Sequence, residues 1–345
     1  MSDSLFAYNY GTLQGGLFSS TVLTNPAELI RGEELYRMLR LCGEQECACG
    51  DSASDWEVLF AFSKALPSLA GFGAASRMHR LLQKACGMEE GLTKANAHVF
   101  WQRGVARFEK ERIPLSSFLL QGVPVLTDAS TLQEHEGVPL AMDAASLLPC
   151  GASSFEEWRA YVKDCIFRFF ESGCRTIRFC ISHGCEFAEP NPYRVGEILQ
   201  KKRRSAGEYS ILAAQLFREV CTHATPLEMN VLVEAHRDTD ALPFLIYAEQ
   251  SVGLPNLCLA TEDPVISLQT QSLAVRCASK FTLALLLSAF PVEHELENAL
   301  LSVAARYPIG RLTFVTGGDL RLVSFEESDA RARICRIMEK NFEKK

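Results

Sequence analysis

The stretch SSFEEWRAYVKDCIFRFFESGCRTIRFCISHG, residues 153–184, contains the two kinds of segment that repeat along this chain. Its first part has Ser154 and, three residues later, Glu157, the pattern of a helix-starting capping box, and Gly173 suits a helix end. Its second part is short and apolar, with isoleucines and a phenylalanine, which is typical of a parallel strand buried on both faces. The stretch therefore predicts one helix followed by one strand of an α/β fold.

The alternation of strand, loop and helix continues along the chain from about residue 114. Short apolar segments of the same kind predict seven strands, within residues 118–128, 137–143, 175–184, 227–237, 256–263, 281–290 and 311–319. The segment LFAYNYGTLQ, residues 5–14, predicts one more strand near the N-terminus. Further helices are predicted at residues 206–221, 241–252, 293–307 and 326–341. Eight such units predict a (β/α)8 TIM barrel, and an open doubly wound sheet with a helical cap is the alternative.

Residues 26–113 have the pattern of consecutive helices, without the alternating strands of the later sequence, and predict a helical subdomain. Ser54 with Glu57 is another capping box, and Gly87 follows an amphipathic segment as a helix stop. The predicted organisation is a first barrel strand and loop at 1–25, a helical insertion at 26–113, and the remainder of the barrel at 114–345.

Composition restricts the class of protein. The 345 residues carry a net charge of -7, which disfavours binding to nucleic acid or to anionic lipid. No apolar run is long enough to span a membrane, and the N-terminus lacks the pattern of a secretory signal. The 13 cysteines are odd in number and mostly lie in apolar runs, so we expect reduced thiols in a cytoplasmic protein. Cys42, Cys47 and Cys49 lack a nearby fourth zinc ligand.

The predicted strands end in polar residues. In a barrel, reactive groups lie at the C-terminal ends of the strands. These ends carry Asp128, Asp143, His183, Glu234, His236, Arg237, Glu262, Asp263, Asp319 and Arg321. Taken alone, Asp128 or Asp143 is better explained as the cap of the next helix, and a single histidine such as His183 is equally consistent with a structural hydrogen bond. Gathered at one rim, they would form a pocket for an anionic, hydroxylated small molecule, since arginine binds carboxylate bidentately.

The segment YRMLRLCGEQECACGDSASDWEVLFAFSKALP, residues 36–67, closely resembles a segment of the uronate isomerases. The similarity lies in two arginines, Arg37 and Arg40, followed by a stretch like Gly-Asp-Ala-Ser-Asp and a helix. Weaker similarities follow in the same order as in that family, at residues 76–101, 127–135, 153–175, 182–184 and 317–325. The resemblance thus extends over nearly the whole chain.

The resemblance implies a barrel of the amidohydrolase superfamily that interconverts aldose and ketose forms of a hexuronate such as glucuronate or galacturonate. In such a reaction a proton leaves C2 and returns at C1, so a general base is needed. The catalytic candidates are Asp319, His183 and His236. The candidates for binding a small-molecule sugar acid are Arg37, Arg40, Arg237, Arg321, Asn9 and Asp128. The resemblance also implies a homo-oligomer.

The first strand departs from that family where it carries a His-x-His pair for a divalent metal, usually zinc. Here Gly11, Thr12 and Leu13 occupy the corresponding positions. Zinc needs nitrogen, sulfur or oxygen donors in a tetrahedral set, and Asp319 alone would bind metal weakly, so no cofactor is expected. Two hypotheses follow: an isomerase that works without this metal, or a catalytically inactive barrel that binds a sugar acid or a protein partner.

Overall fold

A computed structural model of the chain describes residues 10–12, 21–50, 52–70, 72–118, 124–132, 139–148, 152–181, 185–236, 239–277, 280–290, 293–308, 311–319 and 323–341. For residues 10–12, 288, 317–319 and 323–329 it describes the backbone alone.

The centre of the molecule is a sheet in which every neighbouring pair of strands is parallel. Its strands are β1 (Tyr10–Thr12), β2 (Val125–Thr127), β3 (Leu140–Asp143), β4 (Thr176–Ile181), β5 (Asn230–Ala235), β6 (Asn256–Thr261), β7 (Phe281–Leu286), β8 (Leu312–Val315) and β9 (Gly317–Asp319). Neighbours in space follow the order of the chain from β1 to β8, and each parallel pair needs a crossover connection between its strands.

The last two strands close the sheet into a barrel. β8 and β9 are separated by Thr316 alone and together form the eighth barrel strand. Its first half pairs with β7 and its second half pairs with β1. The ring is therefore complete, which confirms the predicted (β/α)8 barrel and makes the open-sheet alternative wrong.

Helices surround the barrel and form the insertion. They are α1 (Glu33–Leu41), α2 (Asp55–Ala65), α3 (Gly73–Cys86), α4 (Ala97–Glu111), α5 (Phe155–Glu171), α6 (Pro192–Leu199), α7 (Ala206–Ala224), α8 (Leu242–Ser251), α9 (Leu268–Arg276), α10 (Glu293–Ala304) and α11 (Val323–Asn341). The outward faces of the strands pack on α5 to α11 in the largest apolar cluster, while a small separate cluster fills the barrel interior. Among the described residues, no helix is long and apolar enough to cross a membrane.

The sequence signals for helix starts and ends hold on α2 and α3 and hold in part on α5. Ser54 and Glu57 form the expected reciprocal capping box on α2, and Gly87 ends α3 in the left-handed conformation. On α5, Ser154 accepts from the backbone of Glu157 as expected, but the Glu157 carboxylate binds Ser153 instead of returning to Ser154. The predictions missed α6 and α9, which are short helices of eight and nine residues.

The helices α1 to α4 lie between β1 and β2 and have an apolar core of their own, which confirms the predicted helical insertion. The two ends of this insertion run side by side. Leu23 donates its backbone N–H to the Ile113 carbonyl at 3.0 Å, and Leu115 donates to the Thr21 carbonyl at 2.8 Å. The described residues that lead into the insertion therefore lie beside those that lead out of it.

The close approach of α4 to a short 3-10 turn, Pro26–Leu29, gives a first prediction. A Cβ added at Gly104 would lie 2.8 Å from Cγ and 2.9 Å from Cδ of the Pro26 ring. Alanine normally stabilises a helix interior relative to glycine, but here the overpacking should dominate and lower the free energy of unfolding by about 1–3 kcal/mol. Urea denaturation of Gly104→Ala measures this.

The matched control is Gly207→Ala on α7, where an added Cβ meets no described atom within 4 Å. We expect it to raise the free energy of unfolding by up to about 1 kcal/mol. Equal effects of the two substitutions would show that contact with the Pro26 ring is not what fixes glycine at residue 104.

Candidate functional site

The polar site is built on the inward-facing positions at the ends of four neighbouring strands, β3 to β6. In parallel pairing, Asp143 of β3 lies beside Arg178 of β4, and Cys180 of β4 lies beside Glu234 of β5. Side chains alternate between the two faces of a strand, so positions two apart share the interior. We call the resulting group the rim cluster: Asp143, Arg178, Cys180, Glu234, His236 and Glu262.

Arg178 joins two carboxylates across the inside of the barrel. Its Nη1 donates to Asp143 Oδ2 at 3.1 Å, and its Nη2 lies 2.7 Å from Glu234 Oε2. The Glu234 side chain is 3% exposed. Its other oxygen, Oε1, is buried and has no hydrogen-bond partner among the described residues. A buried acceptor of this kind costs free energy until a donor reaches it, so Glu234 Oε1 is a ready acceptor for a ligand hydroxyl.

His236 follows β5 and is held between two groups. Its Nδ1 lies 2.9 Å from Glu262 Oε1, and its Nε2 lies 3.5 Å from Cys180 Sγ. The in-register pairing of Ala235 with Thr261 places Glu262 beside His236, and the Glu262 N–H donates to the Ala235 carbonyl. With the carboxylate accepting from Nδ1–H, the neutral imidazole keeps a lone pair on Nε2. Such an imidazole is equipped to take up a proton.

The rim cluster contains three carboxylates and one guanidinium. Asp143, Glu234 and Glu262 outnumber Arg178, so the described part of the rim carries a negative formal charge. Because Arg178 already has a carboxylate on each side, its charge is largely neutralised within the protein. We therefore do not assign the carboxylate of a sugar acid to Arg178.

Asp128 directly follows β2, and its carboxyl group interacts electrostatically with Asp143 of the rim cluster. It is exposed, yet burial of its carboxyl group raises its pKa, and the neighbouring Asp143 carboxylate raises it further. Asp143 also accepts from the Ala145 backbone at 3.0 Å, so it caps a short 3-10 turn as the alternative interpretation held. The Asp143 carboxylate thus lies close enough to Asp128 to raise the pKa of Asp128.

This coupling gives a second prediction. Asp143→Asn should lower the pKa of Asp128 towards its ordinary value and leave the part caused by burial, because one negative neighbour is gone. A raised carboxyl pKa in the folded state costs stability as the pH rises through that pKa, and this loss should shrink in the variant. Titration of the Asp128 carboxyl by NMR checks this. An unchanged Asp128 pKa would contradict the coupling.

Arg37 and Arg40 lie on α1, in the insertion. Both are exposed, and Arg40 pairs with Glu46 at 2.8 Å and donates to the Cys49 carbonyl. A surface depression beside them is lined, among the described residues, by α1 alone: Glu33, Glu34, Arg37, Arg40 and Leu41. No described contact joins these arginines to the rim cluster, and their role in substrate binding stays a prediction.

Several predicted site residues lie outside what the structure describes. Asn9, His183, Arg237 and Arg321 fall in undescribed segments, and Asp319 is described for its backbone only, as the last residue of β9. Their roles stay predictions.

The backbone of the first strand bears on the metal question. Thr12 of β1 pairs with Asp319 of β9, and Gly11 pairs with Gly318. The strand beside Asp319 therefore presents a glycine and a threonine in its described part, not the histidines that a zinc site of this kind needs. Within the described residues no three His, Cys, Asp or Glu side chains converge as metal ligands. The residues present do not fit the metal site of the resembling family.

Sequence reasoning missed Arg178 and Cys180. Both lie within a segment that reads as an apolar strand, and only their spacing of two marks a shared face. A charged residue inside a buried strand was the available signal, because burial of an arginine requires a partner.

Comparison with known proteins gives a structural likeness only. Protein-family models give no match to the sequence, and curated protein sequences give none either. Among solved structures, a crystal structure of uronate isomerase from Thermotoga maritima matches with a TM-score of 0.68 and 11% sequence identity, over 92% of this chain and 84% of that one. At this identity the likeness concerns the fold: the chain has the (β/α)8 architecture of that uronate isomerase structure.

Proposed function

We propose that the chain is a sugar-isomerase-like enzyme that transfers a proton between neighbouring carbons of a hydroxylated carbonyl compound. The observation that carries the proposal is the hydrogen bond between His236 Nδ1 and Glu262 at adjacent strand ends of the barrel. It orients the imidazole and leaves Nε2 as the general base. The catalytic ends of barrel strands are where such groups act.

The mechanism assigns one task to each described group. His236 Nε2 removes the proton at C2 of the open-chain sugar and returns it at C1, while the hydroxyl proton on O2 passes to O1. Glu262 stabilises the imidazolium that forms in between, as carboxylates do beside catalytic histidines. The unpartnered Glu234 Oε1 accepts a hydrogen bond from a substrate hydroxyl, which favours a polyhydroxylated ligand.

The more specific proposal is that the substrate is a hexuronate, because the structural neighbour is a uronate isomerase. Its carboxylate would repel the negative rim cluster and needs a positive partner. We propose Arg237 and Arg321, which the sequence places immediately after His236 and two residues after Asp319. Asp319 and His183 remain proposed second acid–base groups.

The test is incubation of the protein with glucuronate and galacturonate in deuterium oxide, with the neutral glucose and galactose as charge controls. For a hexuronate we expect a ketose labelled with deuterium at C1 and, through the reverse reaction, deuterium at C2 of the remaining hexuronate, both unaffected by a chelator. Absence of both ketose and exchange for all four sugars would defeat the proposal. Calorimetric binding of a hexuronate without exchange would support the inactive sugar-acid-binding alternative.

A further inference from the structure

The rim cluster contains a thiol that isomerisation does not use. Cys180 lies on the interior face of β4, partly exposed, with its Sγ 3.5 Å from His236 Nε2. His236 in turn bonds Glu262 through Nδ1 at 2.9 Å. Three adjacent strands thus contribute a thiol, an imidazole and a carboxylate, each in contact with the next.

We propose that Cys180, His236 and Glu262 form a catalytic triad that transfers acyl groups from small, uncharged esters to Cys180 and then to water.

The geometry matches the requirements of an activated nucleophile. The nucleophile and base must lie within reach of one another, with slightly long contacts common before substrate binds, and a third group must orient the base. Cys180, His236 and Glu262 satisfy these conditions in that order. Because all three groups lie on or directly after neighbouring parallel strands, the barrel itself fixes their separation.

The surroundings decide how the thiol is activated. Burial raises the pKa of Cys180, Arg178 opposes the shift, and the carboxylates of Glu234, Asp143 and Glu262 add to it. The thiol is therefore protonated at neutral pH. It needs His236 to accept its proton as the new bond forms, unlike a cysteine held permanently as thiolate. The same carboxylates disfavour anionic esters, which is why the proposed donor is uncharged.

The acyl transfer balances without any oxidant or reductant. Cys180 Sγ attacks the ester carbonyl carbon while the thiol proton passes to His236 Nε2. The carbon–oxygen bond to the alcohol then breaks, and that proton goes to the departing alkoxide, which leaves a thioester on Cys180. Water, deprotonated by His236, hydrolyses the thioester to a carboxylic acid and restores the thiol. This activity goes beyond the proposed proton transfer and does not depend on it.

Cys277 provides a comparison within the same chain. It is also partly buried, its thiol lies 3.4 Å from a carboxylate oxygen of Glu249, and burial raises its pKa as well. The Cys277 thiol contacts the Glu249 carboxylate directly, and among the described contacts no imidazole lies between the thiol and the carboxylate. The two cysteines therefore differ in the feature that the proposal depends on.

The experiment uses p-nitrophenyl acetate with the full-length protein. We expect a burst of one equivalent of p-nitrophenolate, an acetyl group mapped to Cys180 by mass spectrometry, and no burst in Cys180→Ser. His236→Gln should slow acetylation by about 10²-fold, the typical contribution of a general base. Cys277→Ala should acetylate at the wild-type rate.

A second measurement needs no variant. In wild-type protein, acetylation of Cys180 should exceed that of Cys277 by at least about 10-fold when both are quantified in one digest. Circular dichroism and the thermal midpoint show whether each variant is folded. Equal labelling of the two cysteines in the wild type, or undiminished Cys180 labelling in folded His236→Gln, would overturn the triad. Hexuronate exchange is scored separately, so either proposal can fail alone.

Discussion

His236→Gln is expected to lower the rate of proton exchange at C2 of the substrate by about 10²–10⁴-fold, the range that a positioned general base contributes. Glutamine preserves much of the size and polarity of the imidazole but cannot accept a proton near neutral pH. Its amide can still reach Glu262, so the packing at the end of β5 should survive. Deuterium incorporation followed by NMR measures the proton transfer directly, free of any later step.

Two further variants separate chemistry from structure. Glu262→Gln keeps a hydrogen-bond acceptor but removes the charge that stabilises the imidazolium, so a loss of up to about 10⁴-fold in kcat is expected, with little change in KM. His223→Gln is the matched control, because His223 on α7 also lies near a carboxylate, Glu219, at 3.6 Å but outside the rim cluster. It should exchange at the wild-type rate. Full activity of His236→Gln would remove His236 from the mechanism.

Arg178→Met is expected to lower the free energy of unfolding by about 3–5 kcal/mol, the cost of leaving a buried charge without its partner. Arg178 bridges Asp143 and the nearly inaccessible Glu234. Methionine has similar length and no charge, so two carboxylates would remain close together inside the barrel. Urea denaturation monitored by circular dichroism gives the difference.

The effect of Arg178→Met should depend on the charge of Glu234. Adding Glu234→Gln to Arg178→Met removes one of the two carboxylates left without the arginine and should restore a large part of the lost stability. Arg276→Met is the surface control, since Arg276 also pairs with a carboxylate, Glu249, at 2.7 Å but is half exposed. Solvent screens such a pair, so a small change is expected. A comparable loss of stability in both single variants would show that the buried Arg178 bridge contributes no more than an exposed ion pair.

Much of the fold could be predicted because periodicity and capping are local. The eight strand segments, the capping box at Ser54 and the left-handed Gly87 all follow from residues close in sequence. The helices α6 and α9 escaped because short helices carry few periodic residues. The splitting of the eighth strand at Thr316 depends on which neighbour each half pairs with, and that is a long-range property.

The candidate site was harder to predict than the fold. His236 was singled out because it ends a strand, but its partners come from 26 and 56 residues away along the chain. Arg178 and Cys180 lie within an apolar strand, where alternation alone does not say which face points into the barrel. Only closure of the sheet determines which polar residues meet.

The paired ends of the helical insertion have a consequence for how this chain can change. Leu23 and Ile113 are hydrogen-bonded neighbours, so the described ends of the insertion lie side by side and form what we call its stem, residues 21–23 and 113–115. The length and content of what lies beyond that stem can then vary without altering the span that the barrel must bridge. The stem is therefore a natural grafting point, at which a foreign module could be exchanged for α1 to α4 while the eight-stranded ring keeps its register.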